Sequence, residues 1–299
     1  MIWIGLLALL ALVLLAYGLF EAGWLRARVL EVEFAGLPEG LDGLRIAHLS
    51  DFHLGAPSRG RVATERAVAW VAARQPDLVC ITGDLVSHPR GLPLLEQLLA
   101  TLDRPYVVLG NHDVAVTRDP FSRAAELDEL EGLAVLLRNE AVIVERGSDR
   151  IQITGTDAES YPLGRARPWE LVDTTAGLRI LLCHFPDIDR KLPAGSFHLV
   201  LAGHLHAGQI AIPSPRGRIS LAHPGARFVA GLYPVPGGVM HVSAGTGTTF
   251  VPIRFGFLIR TCASQLGHGT LKLGMETPRC EIADERRRRR CGTKRNLTG

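Results

Sequence analysis

The chain has 299 residues, 47% of them apolar and 21% charged, and a formal net charge of +3. That is enough for one large core, or one core plus a small extra piece. The charge is uneven, with eight basic against three acidic residues after Pro278 and a net −2 on everything before it, which excludes a nucleic-acid-binding body.

Residues 1–20 carry no charged side chain and are almost wholly apolar. At ~1.5 Å rise per residue they cross the ~30 Å hydrocarbon layer as one transmembrane helix. A cleaved signal peptide is the competing reading. Against it, no Lys or Arg precedes the run and no A-x-A site follows. Trp3, Tyr17 and Trp24 fall near its two ends, where interfacial aromatics belong. Arg26 and Arg28 follow it, which puts the rest of the chain on the cytoplasmic side, a bias diluted by Glu21, Glu31 and Glu33.

Residues 21–43 read as a linker with a first strand at 30–34. Apolar runs at 44–49, 78–82 and 106–109 predict buried strands, and the spacing at 63–73, 92–102 and 124–130 predicts helices. Residues 134–137, 141–145 and 151–154 are short strands between turns, 180–183 and 199–202 are buried strands, and 209–242 is hairpin-like. Strand–helix alternation followed by meandering strands predicts an α/β fold of two packed sheets with helices outside. The pattern fades from about residue 256, and 257–299 is assigned as a divergent, basic, partly disordered tail, its part after Pro278 a solvated end that could also touch anionic lipid or nucleic acid. Five irregularly spaced cysteines give no disulfide framework and no Cys-based zinc site.

Five short segments carry the chemistry: Asp51-x-His53, Gly83-Asp84, Gly110-Asn111-His112-Asp113, His184 and Gly203-His204-x-His206. Each follows a strand-like run, so each sits where a strand ends and a loop begins. Carboxylate and amide oxygens mixed with imidazole nitrogens suit two divalent ions, Mn foremost, with Fe, Zn or Mg as alternatives. Asp84 is the natural bridge between two such ions. Taken singly, each residue also has a plain structural reading, such as a turn Asp or a core histidine. His48 is placed in a strand without a role, and His223 and His241 are left unassigned.

In these motifs the chain resembles the calcineurin-like metallophosphoesterase superfamily, and its membrane-anchored YkuE-like bacterial branch in particular. Residues 44–55, 203–210 and 247–256 carry the likeness to that branch. The resemblance implies a four-layer αββα sandwich at 44–256, with Asp51, His53, Asp84 and His206 on one metal and Asp84, Asn111, His184 and His204 on the other. It implies that His112 contacts the phosphate and stabilises or protonates the leaving group, with Asp113 as its partner. The substrate class implied is a phosphodiester or pyrophosphate, and the anchor favours a lipid-linked one such as UDP-2,3-diacylglucosamine of lipid A synthesis. A soluble phosphodiesterase or nuclease, and a metal-binding membrane protein without turnover, are the alternatives. Ala244 stands where the branch has an arginine, which implies a missing basic group near the substrate.

Overall fold

The computed structural model describes residues 1–127, 130, 132–214, 217–256, 259–267 and 270–273. Helix α1 (Ile2–Ala22) leads into β1 (Leu25–Val32), β2 (Arg45–Leu49), α2 (Gly60–Ala72), β3 (Leu78–Thr82), α3 (Leu92–Leu99), β4 (Tyr106–Val108) and β5 (Val135–Leu136). There follow β6 (Glu140–Arg146), β7 (Asp149–Gly155), β8 (Leu178–Leu182), β9 (Leu199–Ala202), β10 (Ala211–Ser214), β11 (Gly217–Ser220), β12 (Gly231–Val235) and β13 (Gly238–Val242). The last described elements are β14 (Ile259–Gly267) and β15 (Thr270–Leu273).

Two large sheets result, ordered β1-β15-β14-β2-β3-β4-β5 and β12-β13-β9-β8-β7-β6, with β10 and β11 as a separate hairpin. Period-two alternation builds the sandwich. Ile46, Leu78, Cys80 and Val108 of the first sheet meet Ile151, Ile153, Ile180, Leu182, Leu199 and Leu201 of the second in one core. On the opposite face of the first sheet, Ala47, Leu49, Val79, Ile81 and Val107 bury against Ala67, Val68 and Val71 of α2 and Leu95 and Leu99 of α3. Behind the second sheet, Leu181, Val200, Ala202, Met240 and Val242 are covered by Tyr161, Ile188, Phe197 and Phe228. Strands buried on both faces need no polar alternation, which is why they read as continuous apolar runs.

The α/β sandwich expected from the sequence is therefore present. Behind the second sheet the cover consists of 3₁₀ turns at Pro168–Leu171 and Pro186–Arg190, each opened by a proline at its first position, together with loops. Residues 124–127 are not helical, a correction to the predicted helix, whose residues 128 and 129 lie outside those described. Its few apolar positions are spent instead on burying Leu127 and Leu130 under the first sheet. Strands β14 and β15 continue the first sheet past residue 256, with β14 antiparallel to β2 and parallel to β1. The basic segment after Pro278 lies outside the described residues.

Helix α1 alone, among the described residues, is long and apolar enough to cross a membrane. Its 21 residues span about 30 Å, and most of its side chains are exposed.

His48 has a structural place that its sequence did not reveal. Its Nδ1 lies 2.7 Å from Nδ1 of His241, and its Nε2 lies 2.8 Å from the Thr82 hydroxyl, all in the interior. Burial lowers the pKa of His48 well below the usual histidine range, with help from His241, and burial alone takes His241 down to about 3. Both rings fold in the neutral form and charge on unfolding, so their contribution to stability is present above pH ~6.5 and is lost as the pH falls toward that of the folded rings. The wild type should accordingly lose more thermal stability between about pH 7 and about pH 5 than a His48→Leu/His241→Leu double variant. Parallel loss in the two proteins would refute this.

Candidate metal centre

Strands β2, β3 and β4 run parallel, as do β8 and β9, so their carboxyl ends share one edge of the sandwich. Asp51, His53, Asp84, Asn111, His184, His204 and His206 all lie in the loops at that edge. Asp51 (φ 54°), His53 (φ 48°), Asp84 (φ 54°), His204 (φ 76°) and His206 (φ 48°) take left-handed backbone conformations. Each costs on the order of 1 kcal/mol for a non-glycine residue and persists only where surrounding bonds dictate it. Those bonds link the loops: Asp51 N–H donates to Gly83 O (2.8 Å), His53 N–H to Asp84 O (3.0 Å) and Gly203 N–H to His184 O (3.0 Å). Asp51 and His53 thus reach one cluster through left-handed turns rather than through strand alternation. The loops touch so closely that a side chain at Gly110 would collide with Asp84, and one at Gly203 would meet Asp51 Oδ2 at 2.5 Å.

Two donor clusters form. Ligand atoms of Asp51, His53, Asp84 and His206 lie within 4.8 Å of one another, and so do those of Asp84, His184 and His204. Asp84 belongs to both: its Oδ2 is 3.5 Å from His53 Nε2 and 3.2 Å from His184 Nε2. Asn111 Oδ1 completes the second cluster at 3.2 Å from His184 Nε2.

The ring tautomers follow from the partners behind them. His184 Nδ1 donates to the Thr82 carbonyl (2.8 Å) and His206 Nδ1 to the Gly247 carbonyl (3.2 Å), so both present an Nε2 lone pair to the clusters. The His206 lone pair then faces His53 Nε2 at 3.0 Å and Asp51 Oδ1 at 3.4 Å. Either a proton on His53 Nε2 or a cation among these atoms satisfies the arrangement. Asp51 Oδ2 is moreover buried with no hydrogen-bond partner. An oxygen–nitrogen donor set with converging lone pairs and an orphaned carboxylate oxygen fits divalent metal ions.

The electrostatics agree. Burial raises the Asp51 carboxyl to about 7 despite His184, lowers His53 and His206 well below the usual range, and takes His204 to about 3. Burial also opposes ionised Asp84, but His184, His112 and His53 outweigh it and hold that carboxyl low. Burial opposes a charged His184, but Asp84 and Asp51 outweigh it and raise that imidazole to about 9, so a bound divalent ion would displace its proton.

His112 stands beside the first cluster, its ring 4.5 Å from that of His53 and nearly perpendicular to it. Its N–H donates to Asp84 Oδ1 (2.8 Å), and its Nδ1 pairs with the Ser122 hydroxyl at 2.7 Å. Asp113 is turned elsewhere. Its Oδ1 accepts from Leu85 N–H (2.8 Å) and Val86 N–H (3.0 Å), and its Oδ2 accepts from Gly110 N–H (2.8 Å). It ties the Asp84 loop to the Asn111 loop, and the partners of the His112 ring are Ser122 at Nδ1 and the Thr117 hydroxyl, 3.2 Å from Nε2.

Sequence reasoning also missed Arg254, which is fully buried. Its guanidinium donates to the carbonyls of His206 (3.1 Å), Ala244 (3.0 Å) and Gly247 (2.7 Å). A single arginine thus braces the loops behind His206 from inside the fold. A cleft of about 390 Å³ adjoins His204, with Tyr161, Phe185, Phe228, Arg190 and Arg227 among its lining residues. Tyr161 and Phe185 stack there with centroids 4.8 Å apart.

Two sheets present a carboxylate shared by two metal-ligand clusters, and in the family to which the chain belongs such a site makes a metal-dependent phosphohydrolase. The calcineurin-like phosphoesterase family model matches residues 44–208, more than half of the chain, and the chain belongs to that family. It is 36% identical over 263 residues to a transmembrane protein with metallophosphoesterase domain from Danio rerio, an alignment covering 81% of this chain and 57% of that protein. It is 28% identical over 232 residues to the uncharacterized metallophosphoesterase YkuE of Bacillus subtilis (strain 168), covering 73% of this chain and 77% of that one. With the phosphodiesterase YaeI of Escherichia coli (strain K12) the identity is 23% over 235 residues, covering 77% and 84%. The chain spans little more than half the length of the Danio rerio protein.

Proposed function

We propose that this protein is a membrane-anchored phosphodiesterase whose two-metal site hydrolyses a phosphodiester or pyrophosphate bond of an amphiphilic substrate. The observation that carries this reading is the position of Asp84, whose one carboxylate serves both donor clusters. Asp51, His53, Asp84 and His206 would hold one ion, and Asp84, Asn111, His184 and His204 the other, with Mn²⁺ the first choice for oxygen–imidazole donors. When bound, such ions neutralise phosphate oxygens and lower the pKa of a coordinated water.

The chain's own groups supply the rest. Ser122 and the backbone bond to Asp84 orient His112 to donate a proton to the departing oxygen. Thr82 and Gly247 hold the Nδ1 protons of His184 and His206 and so turn Nε2 of each ring toward the ions. The aromatic cleft beside His204 offers an apolar seat for the body of the substrate, with Arg227 at its wall. A nucleotide-lipid pyrophosphate such as UDP-2,3-diacylglucosamine falls in this class, and the membrane reading rests on α1 and on relatives named as transmembrane proteins.

The test is hydrolysis of bis-p-nitrophenyl phosphate by the full chain in detergent. Activity should vanish with a chelator and return with Mn²⁺, and the melting temperature should fall on chelation, since the ions bind only the folded state. Turnover that survives complete metal removal would sink the reading. His112→Ala should lower kcat about 10²- to 10³-fold with little change in KM, the mark of a group acting in the transition state. A rise in KM alone would make His112 a binding residue only. Comparing UDP-2,3-diacylglucosamine with soluble diesters decides whether the substrate is lipid-linked.

A further inference from the structure

The end of α1 is locked onto the loop that supports the metal centre. The N–H of Arg254 donates to the Gly18 carbonyl at 3.0 Å, and Gly256 N–H donates to the buried Glu21 carboxylate at 3.1 Å. Any side chain at Gly18 would run into the Phe255 ring at 2.6 Å, and Tyr17 packs on that ring with centroids 5.7 Å apart. Arg254 is the same residue that holds the carbonyls of His206 and Gly247. The anchor is therefore no loose tether, because it meets the catalytic domain through the brace of a metal-site loop.

This fixes where the site mouth lies. Gly18 is four residues from the end of α1, so the loop meets the helix about 6 Å from that end, close to the edge of the hydrocarbon layer. Phe20 and Trp24, half-exposed with rings 5.1 Å apart, mark the same level. Just before the clamped segment, Phe250 and Val251 are exposed by 52% and 41%, and Phe121 by 46%. Asp119 joins the two tips, accepting from Phe121 N–H at 2.9 Å and from Phe250 N–H at 3.0 Å. The Phe121 tip adjoins Ser122, the partner of His112. Exposed Arg59, packed against Gly23, and exposed Arg118 beside the Phe121 tip add positive charge at this level. Apolar tips with arginines beside a membrane-spanning helix match an anionic bilayer surface.

We infer that the mouth of the metal site docks on the bilayer, with Phe121, Phe250 and Val251 entering the headgroup boundary, so that the substrate is a phosphoester presented at the membrane surface. This rests on the reading of α1 as an anchor, and the experiment separates the two. The full chain is reconstituted in vesicles of dibrominated phosphatidylcholine containing phosphatidylglycerol, whose bromines quench only tryptophans in the bilayer. Native emission, which includes Trp3 of α1, reports the anchor. The added emission of Phe250→Trp, and separately of Phe121→Trp, reports docking. Ser148→Trp, in the β6–β7 turn at the opposite edge of the sandwich from the ligands, is the control for tethering alone.

Docking predicts that the added emission at 250 and 121 shifts to the blue and loses intensity in brominated relative to unbrominated vesicles, while that at 148 does not. Quenching of native emission with none at 250 or 121 would leave the anchor standing and overturn docking. Equal quenching at 148 would overturn it as well. Absence of any quenching would remove anchor and docking together, while leaving hydrolysis of soluble diesters untouched.

Discussion

Asp84→Asn is expected to lower kcat/KM for bis-p-nitrophenyl phosphate on the order of 10³-fold, and to reduce the metal content of the purified protein. The magnitude follows from several kcal/mol of charge stabilisation lost in the transition state, at a factor of ten for each ~1.4 kcal/mol. The amide is nearly isosteric, and its oxygen can still accept from His112 N–H, now 2.8 Å from Asp84 Oδ1. The backbone turn at Asp84 is one that Asn also tolerates. The fold should therefore survive, and circular dichroism at unchanged melting temperature in the presence of chelator would check that. What goes is the negative charge shared by two clusters. Wild-type metal content and activity within about ten-fold of wild type would show that Asp84 bridges nothing.

Arg254→Met is the second large effect, and it falls on stability first. The guanidinium is fully buried, with burial pulling its pKa down to about 10 while Asp51 and Glu21 oppose that, so the group stays charged at neutral pH. Methionine fills much of the volume but leaves the carbonyls of His206, Ala244 and Gly247 without their donor. Breaking a buried charged network costs about 3–5 kcal/mol, which for a domain of this size lowers the melting temperature by roughly 10 °C. Arg254→Lys should recover little, because one ammonium cannot reach three carbonyls in the planar fork of an arginine. Metal affinity should fall too, since the Gly247 carbonyl that sets the His206 tautomer is released. Thermal unfolding with and without Mn²⁺ separates the two losses. An unchanged melting temperature would mean that these loops hold themselves without the brace.

The strands that carry ligands were legible because both their faces are buried. Runs such as Leu78–Thr82 and Leu199–Ala202 cannot be mistaken for amphipathic elements, and each ends on its ligand motif. The segment at 124–130 misled because its spacing mimicked a helix face, whereas its residues serve as cover for the first sheet. Strand β14 was hidden for the opposite reason. It answers to no local turn or periodic signal, and it acquires its place from β1, more than two hundred residues away in sequence.

The site divides in the same way. Asp and His at strand ends announce metal chemistry by type and order, since few other arrangements would place so many oxygen and imidazole donors before glycine-rich turns. Ser122, Arg254 and the altered bearing of Asp113 were not readable, because a hydroxyl, an arginine and a carboxylate have many ordinary uses. Their roles here depend on which atoms the loops bring within hydrogen-bonding distance. The linear order of residues by itself determined the family, the sandwich and the identity of the converging donors, since local patterning and residue chemistry suffice for those. Only the tertiary structure decided that Ser122 backs His112, that Arg254 props the His206 loop, and that the apolar helix is clamped to that prop. Those are distances between separate segments of the chain, and no local pattern encodes a distance.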